Sequence, residues 1–358
     1  MSQCLVKPDF WKGKRVLLTG HTGFKGAWTA AWLNRMGAHV TGISLPPEGE
    51  FSLINRLEPH LSITSHFLDI RDRQALTSIV EDANPQIVLH MAAQALVRRS
   101  YREPVETYET NVIGTVNLLE SLSKVGALEA VLVITSDKVY QNNDEGRPFV
   151  ETDILGGDDP YSSSKAACEI AVASLAKSLF VNTGVPIATG RAGNVIGGGD
   201  FSEDRLIPDI WRAARQGNAV TLRFPEATRP WQHVLESVSG YLTYLQALAG
   251  EEAYSGPCSL NFGPVDGAVI TVGHIASRVQ AAFGVTGDWL LDNQPKPAEK
   301  SYLALDASLA RITLGWQARW TPEETLDMTV NWYRAFDEGA DMHALTLAQI
   351  EDYESGQT

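Results

Sequence analysis

The sequence predicts an α/β fold in which a doubly wound parallel sheet precedes a smaller C-terminal lobe. Between residues 14 and 143, apolar strand-like runs alternate with segments of helical periodicity. This alternation is typical of βαβ units, whose parallel strands bind ligands at their carboxyl ends. From residue 196 onwards the alternation stops, and loop signals such as GGGDFSEDR and DNQPKPAEK become frequent. These loops predict a lobe that lies across the mouth of the sheet.

Composition narrows the class of protein. The chain has 358 residues and a net charge of −14, which argues against nucleic acid or an anionic membrane as its main partner. Its three cysteines are widely spaced and its eight histidines include no closely spaced pair, so no metal site is expected. The N-terminus lacks the apolar core of a signal peptide, and no apolar run of about 18 residues occurs. We therefore expect a cytoplasmic protein.

The elements follow one another in a regular order. The predicted strands share a short apolar run, and they are KRVLLTG, HVTGISL, ITSHFLDI, QIVLHMAA, VLVITS and VPIATG. The predicted helices share a period near 3.6 residues, and they are GAWTAAWLNRMG, RDRQALTSIVEDA, EPVETYETNVIGTVNLLESLSKVG and PYSSSKAACEIAVASLAKSL. Five apolar residues in a row before Thr135 indicate a strand that is buried on both faces.

The turn after the first strand predicts a dinucleotide site. Gly20, Gly23 and Gly26 occupy the turn, with Thr22 and Phe24 between them. Glycines there let backbone N–H groups approach a pyrophosphate, which then rests on the N-terminus of the following helix. The spacing GxxGxxG resembles that of the short-chain dehydrogenase/reductase superfamily, which implies a Rossmann-like fold.

The end of the second strand bears on the choice between NAD and NADP. An acidic residue normally follows the second strand and binds the adenosine ribose, but this chain has Ser44 there and no arginine for a 2′-phosphate. Lys25 is the only cation in the glycine turn. We expect NAD, with Asp69 accepting from the adenine amine and Ile70 beside it.

A tyrosine and a lysine at helical spacing predict a proton-transfer pair. Tyr161 and Lys165 are four residues apart, so they lie on one face of a helix. A phenol has a pKa of about 10 and is a poor base at neutral pH. A neighbouring ammonium group and an oxidised nicotinamide both favour the phenolate, which can then remove a hydroxyl proton as hydride leaves the same carbon.

Together these motifs resemble the extended short-chain dehydrogenase/reductases that act on nucleotide sugars. The resemblance covers nearly the whole chain and implies a homodimer that pairs through the helices of Asn111 and Tyr161. It also implies further cofactor contacts, at Ala92, Ala93, Asn111 and Thr135.

Residues beyond the fifth strand favour a dehydratase within this family. Ser136 is followed by Asp137 and Lys138. Once C4 of a hexose is a ketone, loss of water requires a base for the C5 proton and an acid for the C6 hydroxyl. Asp137 and Lys138 supply both groups, in either assignment. An epimerase needs no such pair, and a non-catalytic NAD-binding protein needs none of these residues; both remain alternatives, as does another sugar dehydratase.

The second residue of that pair suggests the nucleotide. A lysine there resembles the CDP-glucose branch of the dehydratases, which implies CDP-glucose as substrate and a role in deoxysugar synthesis of the O-antigen type. The same resemblance implies substrate contacts at Gln94, Asn194, Arg205 and Arg229. Arg98 and Arg99 fit either phosphate contacts or a solvated helix start, and Trp231 and His233 fit the core better than a ligand site. Ala298 replaces the histidine usual in the family.

These expectations divide the chain into two parts. Residues 1–190 are predicted to form the NAD-binding domain. Residues 191–358 are predicted to form mainly the nucleotide-sugar lobe, with some segments returning to the first domain.

Overall fold

The predicted parallel sheet is present. The computed structural model describes residues 6–250, 252–264, 270–293, 300 and 302–356; Ala298 lies outside them. The strands are β1 (Arg15–Thr19), β2 (His39–Ser44), β3 (Ile63–Phe67), β4 (Ile87–His90), β5 (Ala130–Ile134), β6 (Ile187–Ala192), β7 (Val195–Ile196), β8 (Thr221–Leu222), β9 (Thr228–Arg229), β10 (Gln232–His233), β11 (Ser259–Phe262), β12 (Ile270–Thr271) and β13 (Leu290–Leu291). Seven of these strands form one sheet in the order β11-β6-β5-β4-β1-β2-β3, and each adjacent pair is parallel.

Helices cover both faces of the sheet. The α-helices are α1 (Pro8–Trp11), α2 (Phe24–Arg35), α3 (Ile54–Leu57), α4 (Arg73–Ala83), α5 (Val97–Arg102), α6 (Pro104–Tyr108), α7 (Thr115–Leu122), α8 (Pro160–Ser178), α9 (Leu206–Arg215), α10 (Val234–Leu248), α11 (Val272–Ala282), α12 (Ser308–Leu314), α13 (Pro322–Asp337) and α14 (Met342–Ser355). Short 3₁₀ helices span Glu58–His60 and Asp137–Val139, and a π-helix spans Glu109–Gly114. No helix in the described part of the chain is long and apolar enough to cross a membrane.

Alternation along the strands produces two apolar cores. In β5, Leu132 and Ile134 pack with α2 and α10 on one face of the sheet. Val131 and Val133 pack with α4, α7 and α8 on the opposite face. Successive strand side chains point to opposite faces, and burial of both faces explains why the strand contains no polar position.

One element differs from the sequence prediction. The single helix predicted over residues 103–126 is instead α6, a π-helical turn and α7. The seventh strand of the sheet is β11, which lies beyond residue 190 and pairs with β6; the predicted division includes such returning segments. Helix α10 also packs against α2 under the sheet. The C-terminal half of the chain thus contributes to the main sheet layer as well as to the region at its mouth.

Candidate active site

The predicted cofactor turn lies between β1 and α2. Gly20 has a φ of +79°, and a Cβ there would lie 2.8 Å from the amide nitrogen of Ala92. A Cβ on Gly26 would lie 2.0 Å from the carbonyl oxygen of Gly20. The turn therefore requires glycine at both positions. Helix α2 begins at Phe24 with Gly23 as its N-cap residue, so no cap side chain competes for its first N–H groups, and the turn fits a pyrophosphate.

The end of β2 is neutral. The Thr22 hydroxyl lies 2.7 Å from the Ser44 hydroxyl and donates a hydrogen bond to the carbonyl oxygen of Leu45 at 3.0 Å. These contacts fix the turn against the second strand. The ribose position predicted at this strand end is therefore bordered by hydroxyl groups.

Lys25 faces the catalytic side of the turn. Its Nζ donates to the Tyr241 hydroxyl at 3.3 Å. Burial, with the nearby cations of Arg205 and Lys165, lowers the pKa of Lys25 to about 7. The lysine of the glycine turn thus contacts Tyr241 through both the hydroxyl and the ring.

Asp69 follows β3 as expected, and its carboxylate already has a partner. Arg71 Nη2 lies 2.6 Å from Asp69 Oδ2, and Arg71 Nε contacts both carboxylate oxygens. These hydrogen bonds lower the pKa of Asp69, so the carboxylate is ionised. An adenine amine would share this acceptor with Arg71. Ile70 is buried against the π-helix, where a Cβ on Gly114 would lie 2.5 Å from its Cδ1.

The loop after β4 is fixed by Asn111. Ala92 and Ala93 open this loop, and the Asn111 side chain bonds both backbone groups of Gln94, accepting from its N–H at 2.8 Å and donating to its carbonyl at 3.0 Å. Asn111 also donates to the Ser164 hydroxyl of α8 at 2.9 Å. Asn111 sits in the π-helix, a distortion that is frequent at functional sites. It connects the cofactor side of the sheet with the helix of Tyr161.

Gln94 makes contacts within the chain. Its Oε1 accepts from the Leu96 N–H at 2.6 Å, and its Nε2 donates to the Thr107 hydroxyl at 2.9 Å. Both polar atoms of the side chain therefore have intramolecular partners that shape the loop. Its contact with the sugar stays a prediction.

Helix α8 carries the predicted proton-transfer pair. Its N-cap is Asp159, whose carboxylate accepts from the Ser162 N–H. Tyr161 and Lys165 are both buried, and Lys165 Nζ donates to the carbonyl oxygen of Ile134 at 3.1 Å. Burial lowers the pKa of Lys165. Burial raises the pKa of Tyr161, and the neighbouring hydroxyl of Ser136 opposes that increase.

The predicted acid and base lie in the 3₁₀ turn just after β5. Ser136 is the N-cap of the 3₁₀ turn Asp137–Val139. Its hydroxyl donates to Asp137 Oδ1 at 3.0 Å and accepts from the Lys138 N–H at 3.2 Å. Asp137 is only 2% exposed, which rules out an exposed surface turn. Its second oxygen, Oδ2, has no hydrogen-bond partner among the described residues. A buried acceptor without a partner indicates a ligand group at this position.

The residues predicted to bind substrate occupy several loops. Arg205 precedes α9 and donates to the carbonyl oxygen of Ala95 at 3.3 Å. Its positive charge lowers the pKa of Tyr161, against the effect of burial. Arg229 is buried in β9, and the carbonyl oxygen of Asn194 accepts from the Gln232 N–H. Arg205 is therefore near enough to Tyr161 for its charge to act there, whereas substrate contacts by Arg205, Arg229 and Asn194 stay predictions.

The remaining basic and aromatic candidates are engaged elsewhere. Arg98 pairs with Asp204, and Arg99 pairs with Glu48, Glu103 and Glu106. Trp231 is buried in the main core, and His233 is buried with its ring against that of Trp320, so both lie in the protein interior. Burial lowers the pKa of His233 to about 3, so its ring is neutral.

Comparison with known proteins shows the family of this chain. A sequence model of the family described as GDP-mannose 4,6 dehydratase matches residues 17–329. The chain belongs to this family. It is 45% identical to "CDP-glucose 4,6-dehydratase" of Salmonella typhimurium over 99% of this chain and 100% of that protein. The expected membership of the extended short-chain dehydrogenase/reductases is confirmed.

Solved structures of related enzymes share the fold. The crystal structure of a UDP-glucose 4-epimerase from Thermotoga maritima with UDP-glucose is 25% identical, with a TM-score of 0.78, and covers 90% of this chain and 99% of its own. A UDP-glucose 4-epimerase from Stenotrophomonas maltophila with bound NAD is also 25% identical, with a TM-score of 0.78, and covers 91% and 100%. The Rossmann-like sheet predicted from the sequence is thus confirmed, and it is shared by these related enzymes.

Sequence reasoning missed three polar residues around the site of this family member. Tyr241 contacts Lys25, and a buried pair of Glu169 and Arg191 lies beneath the strand of Thr135. A signal was present for the pair: Glu169 lies one helical turn after Lys165, and Arg191 interrupts an apolar strand. A charge within a buried element usually has a buried partner.

Proposed function

We propose that the protein is a CDP-glucose 4,6-dehydratase that works with bound NAD and forms a 4-keto-6-deoxy sugar. The observation that carries the proposal is the buried Asp137, with an unpartnered oxygen, next to Ser136 and Lys138 in the same site as Tyr161. The 45% identity to the Salmonella typhimurium enzyme of that name supports it over the full length.

The residues around the glycine turn fit the proposed cofactor. A Cβ at Gly20 or Gly26 would occupy the space in which the backbone approaches a ligand, and the free N-terminus of α2 suits a pyrophosphate. The related epimerase of Stenotrophomonas maltophila also binds NAD. Bound NAD would accept a hydride from C4 and return it to C6. The protein's own groups must therefore move the protons.

Tyr161 serves the oxidation of C4. It removes the proton of the C4 hydroxyl while the C4 hydride leaves, and the C4 ketone forms. The Lys165 ammonium and the Ser136 hydroxyl favour the phenolate by charge and by hydrogen bonding. Burial of Tyr161 opposes its ionisation, so both neighbours are needed.

Asp137 and Lys138 serve the loss of water. The ketone acidifies the C5 proton; one of the two residues removes it while the other protonates the C6 hydroxyl, which leaves as water. Return of the hydride to C6 and of a proton to C5 completes the product. The Oδ2 atom of Asp137 is available to a hydroxyl group, which favours Asp137 as the acid and leaves Lys138 as the base.

A substrate panel tests this function. Purified protein with NAD is incubated with CDP-glucose, dTDP-glucose, UDP-glucose and GDP-mannose, and alkali is then added to reveal the near-ultraviolet absorbance of a 4-ketosugar. We expect the highest kcat/KM for CDP-glucose. A higher value for another nucleotide overturns the nucleotide assignment alone. A C4-epimer without ketosugar would indicate an epimerase, and no conversion would indicate a non-catalytic NAD-binding protein.

We also propose that the protein is a cytoplasmic homodimer in a deoxysugar pathway of the O-antigen type. Exposed apolar side chains on the neighbouring elements α5 to α8 support the dimer, namely Tyr101, Val105, Tyr108, Ile113 and Ile170. Several exposed large apolar side chains on adjoining helices are typical of an interface. Light scattering should give twice the mass of 39.0 kDa, and Ile170→Asp should give a monomer.

A further inference from the structure

Tyr140 closes the 3₁₀ turn that carries Asp137 and Lys138. It is the residue directly after that turn, and it is 2% exposed. Its hydroxyl donates to Asn261 Oδ1 at 2.7 Å and accepts from Arg191 Nη1 at 2.7 Å. Burial raises the pKa of Tyr140, so the hydroxyl is neutral and remains a donor. Because its hydrogen is committed to Asn261 and its oxygen to Arg191, the hydroxyl acts as an anchor and not as a base.

Arg191 is itself fixed by a buried ion pair. Its Nε donates to Glu169 Oε1 at 2.7 Å, and a second nitrogen pairs with Glu169 Oε2. Both side chains are at most 4% exposed. The guanidinium also lies over the Tyr140 ring, 4.9 Å from its centroid. A guanidinium group bound to both oxygens of one carboxylate has little freedom to move. Arg191 therefore defines the position of the Tyr140 hydroxyl.

The other contacts of Tyr140 bind it to separate parts of the chain. Its ring stacks on Phe149 at 4.8 Å. Asn261, on the seventh strand of the sheet, donates to the carbonyl oxygen of Phe149 at 3.0 Å. Thr135 lies just before the turn, and its hydroxyl donates to Glu169 at 2.6 Å. The turn is thus held at both ends by one network, through Thr135 at its start and Tyr140 at its end.

We propose that Tyr140 is a positioning residue for the elimination of water, acting through Asp137 and Lys138. The proposal rests on the function proposed above and assigns the network to one half of it. The hydrogen bonds of the turn itself are made by Ser136, to Asp137, Lys138 and Val139, and the network adds the contacts to distant strands. The oxidation of C4 depends instead on Tyr161 and Lys165, which α8 carries. Loss of the Tyr140 hydroxyl should therefore slow dehydration more than oxidation.

The test compares the two half-reactions in the full-length, NAD-loaded protein. In Tyr140→Phe we expect the kcat for 4-ketosugar formation to fall by about 10–10² fold, since a misplacement near 1 Å costs about 10²-fold. We expect unchanged KM, unchanged exchange of the C4 hydrogen with labelled cofactor, and more NADH absorbance during turnover. Arg191→Lys keeps the buried positive charge but loses the forked guanidinium group. It should likewise slow dehydration more than oxidation.

Tyr353→Phe is the matched control. It also removes a buried tyrosine hydroxyl, one that donates to Glu236 Oε2 at 2.6 Å from the C-terminal helix. We expect Tyr353→Phe to lower the free energy of unfolding. The ratio of NADH absorbance to 4-ketosugar formed should stay as in the wild type. Such a result separates positioning from a general loss of stability.

The outcomes separate this proposal from the proposed function. Dehydration at the wild-type rate in Tyr140→Phe, or equal slowing of oxidation and dehydration, would overturn the role of Tyr140 alone. A wild-type protein that oxidises the sugar but forms no 4-ketosugar product with loss of water would overturn the proposed function, and this role with it.

Discussion

Helix α8, which carries Tyr161 and Lys165, and the short turn of Asp137 and Lys138 face one site but are built differently. The helix has 19 residues, an N-cap and its own backbone hydrogen bonds. The turn has three residues between Ser136 and Tyr140. Its geometry depends on side chains from distant strands. The first pair is fixed locally and the second by tertiary contacts, and the two pairs should therefore respond differently to mutation.

The largest expected effect is on the helix-borne pair. Tyr161→Phe removes the phenol that is proposed to accept the C4 hydroxyl proton, so oxidation should fall by about 10²–10⁴ fold. No NADH absorbance and no 4-ketosugar should appear. Tyr254→Phe, which removes a tyrosine hydroxyl bonded to the Pro257 carbonyl, is the control and should retain activity. Rapid NADH formation in Tyr161→Phe would contradict the assignment.

The turn should fail at a later step. Asp137→Asn and Lys138→Met should each lower product formation by about 10²–10⁴ fold while oxidation of C4 continues, so NADH absorbance accumulates. Deuterated solvent identifies the base, because its loss stops exchange of the C5 hydrogen. We expect this in Lys138→Met; loss of exchange in Asp137→Asn alone would reverse the two roles. Dehydration at the wild-type rate in both variants would mean that the turn does not supply the acid and the base.

A smaller change near the turn sharpens the comparison. A Cβ at Gly193 would lie 2.7 Å from Pro230 Cγ and 3.4 Å from Asp137 Oδ2. Gly193→Ala should therefore displace the turn or its surroundings by a few tenths of an ångström, and lower dehydration by about 10-fold, with oxidation unchanged. Gly126→Ala is the control, because a Cβ there meets nothing within 4 Å. A parallel decrease in both half-reactions would mean that the two pairs are not independently held.

The same contrast explains what could be predicted from the sequence. The glycine turn and the spacing of Tyr161 and Lys165 are local, so the pattern predicted both. The contact of Lys25 with Tyr241 joins residues 216 positions apart, and that of Tyr140 with Asn261 joins residues 121 apart. Such contacts follow from strand order and packing, which no single stretch of sequence encodes.

The π-helix around Asn111 illustrates a second kind of limit. Its residues have helical periodicity on both sides, and the sequence predicted one continuous helix there. The structure inserts a wider turn over Glu109–Gly114. This turn lets the Asn111 side chain reach both Gln94 and Ser164. The distortion depends on those tertiary hydrogen bonds, so periodicity alone does not reveal it.

The smallest expected effect is at the start of α8. Asp159→Ala removes the N-cap carboxylate that accepts from the Ser162 N–H, which should cost about 1 kcal/mol of unfolding free energy. The helix is long, and Lys165 is fixed to the Ile134 carbonyl, so both half-reactions should keep near wild-type rates. Asp341→Ala, which removes the N-cap of α14, is the matched control for stability.

The charge of Asp159 adds a pH test with a definite sign. Asp159 contributes to raising the pKa of Tyr161, so its removal should lower that pKa. Because oxidation requires the phenolate, the rising limb of its pH profile should move to lower pH in Asp159→Ala and stay in place in Asp341→Ala. Stopped-flow NADH formation across the pH range measures both. A large loss of oxidation in Asp159→Ala would mean that the helix-borne pair depends on its surroundings as strongly as the turn does.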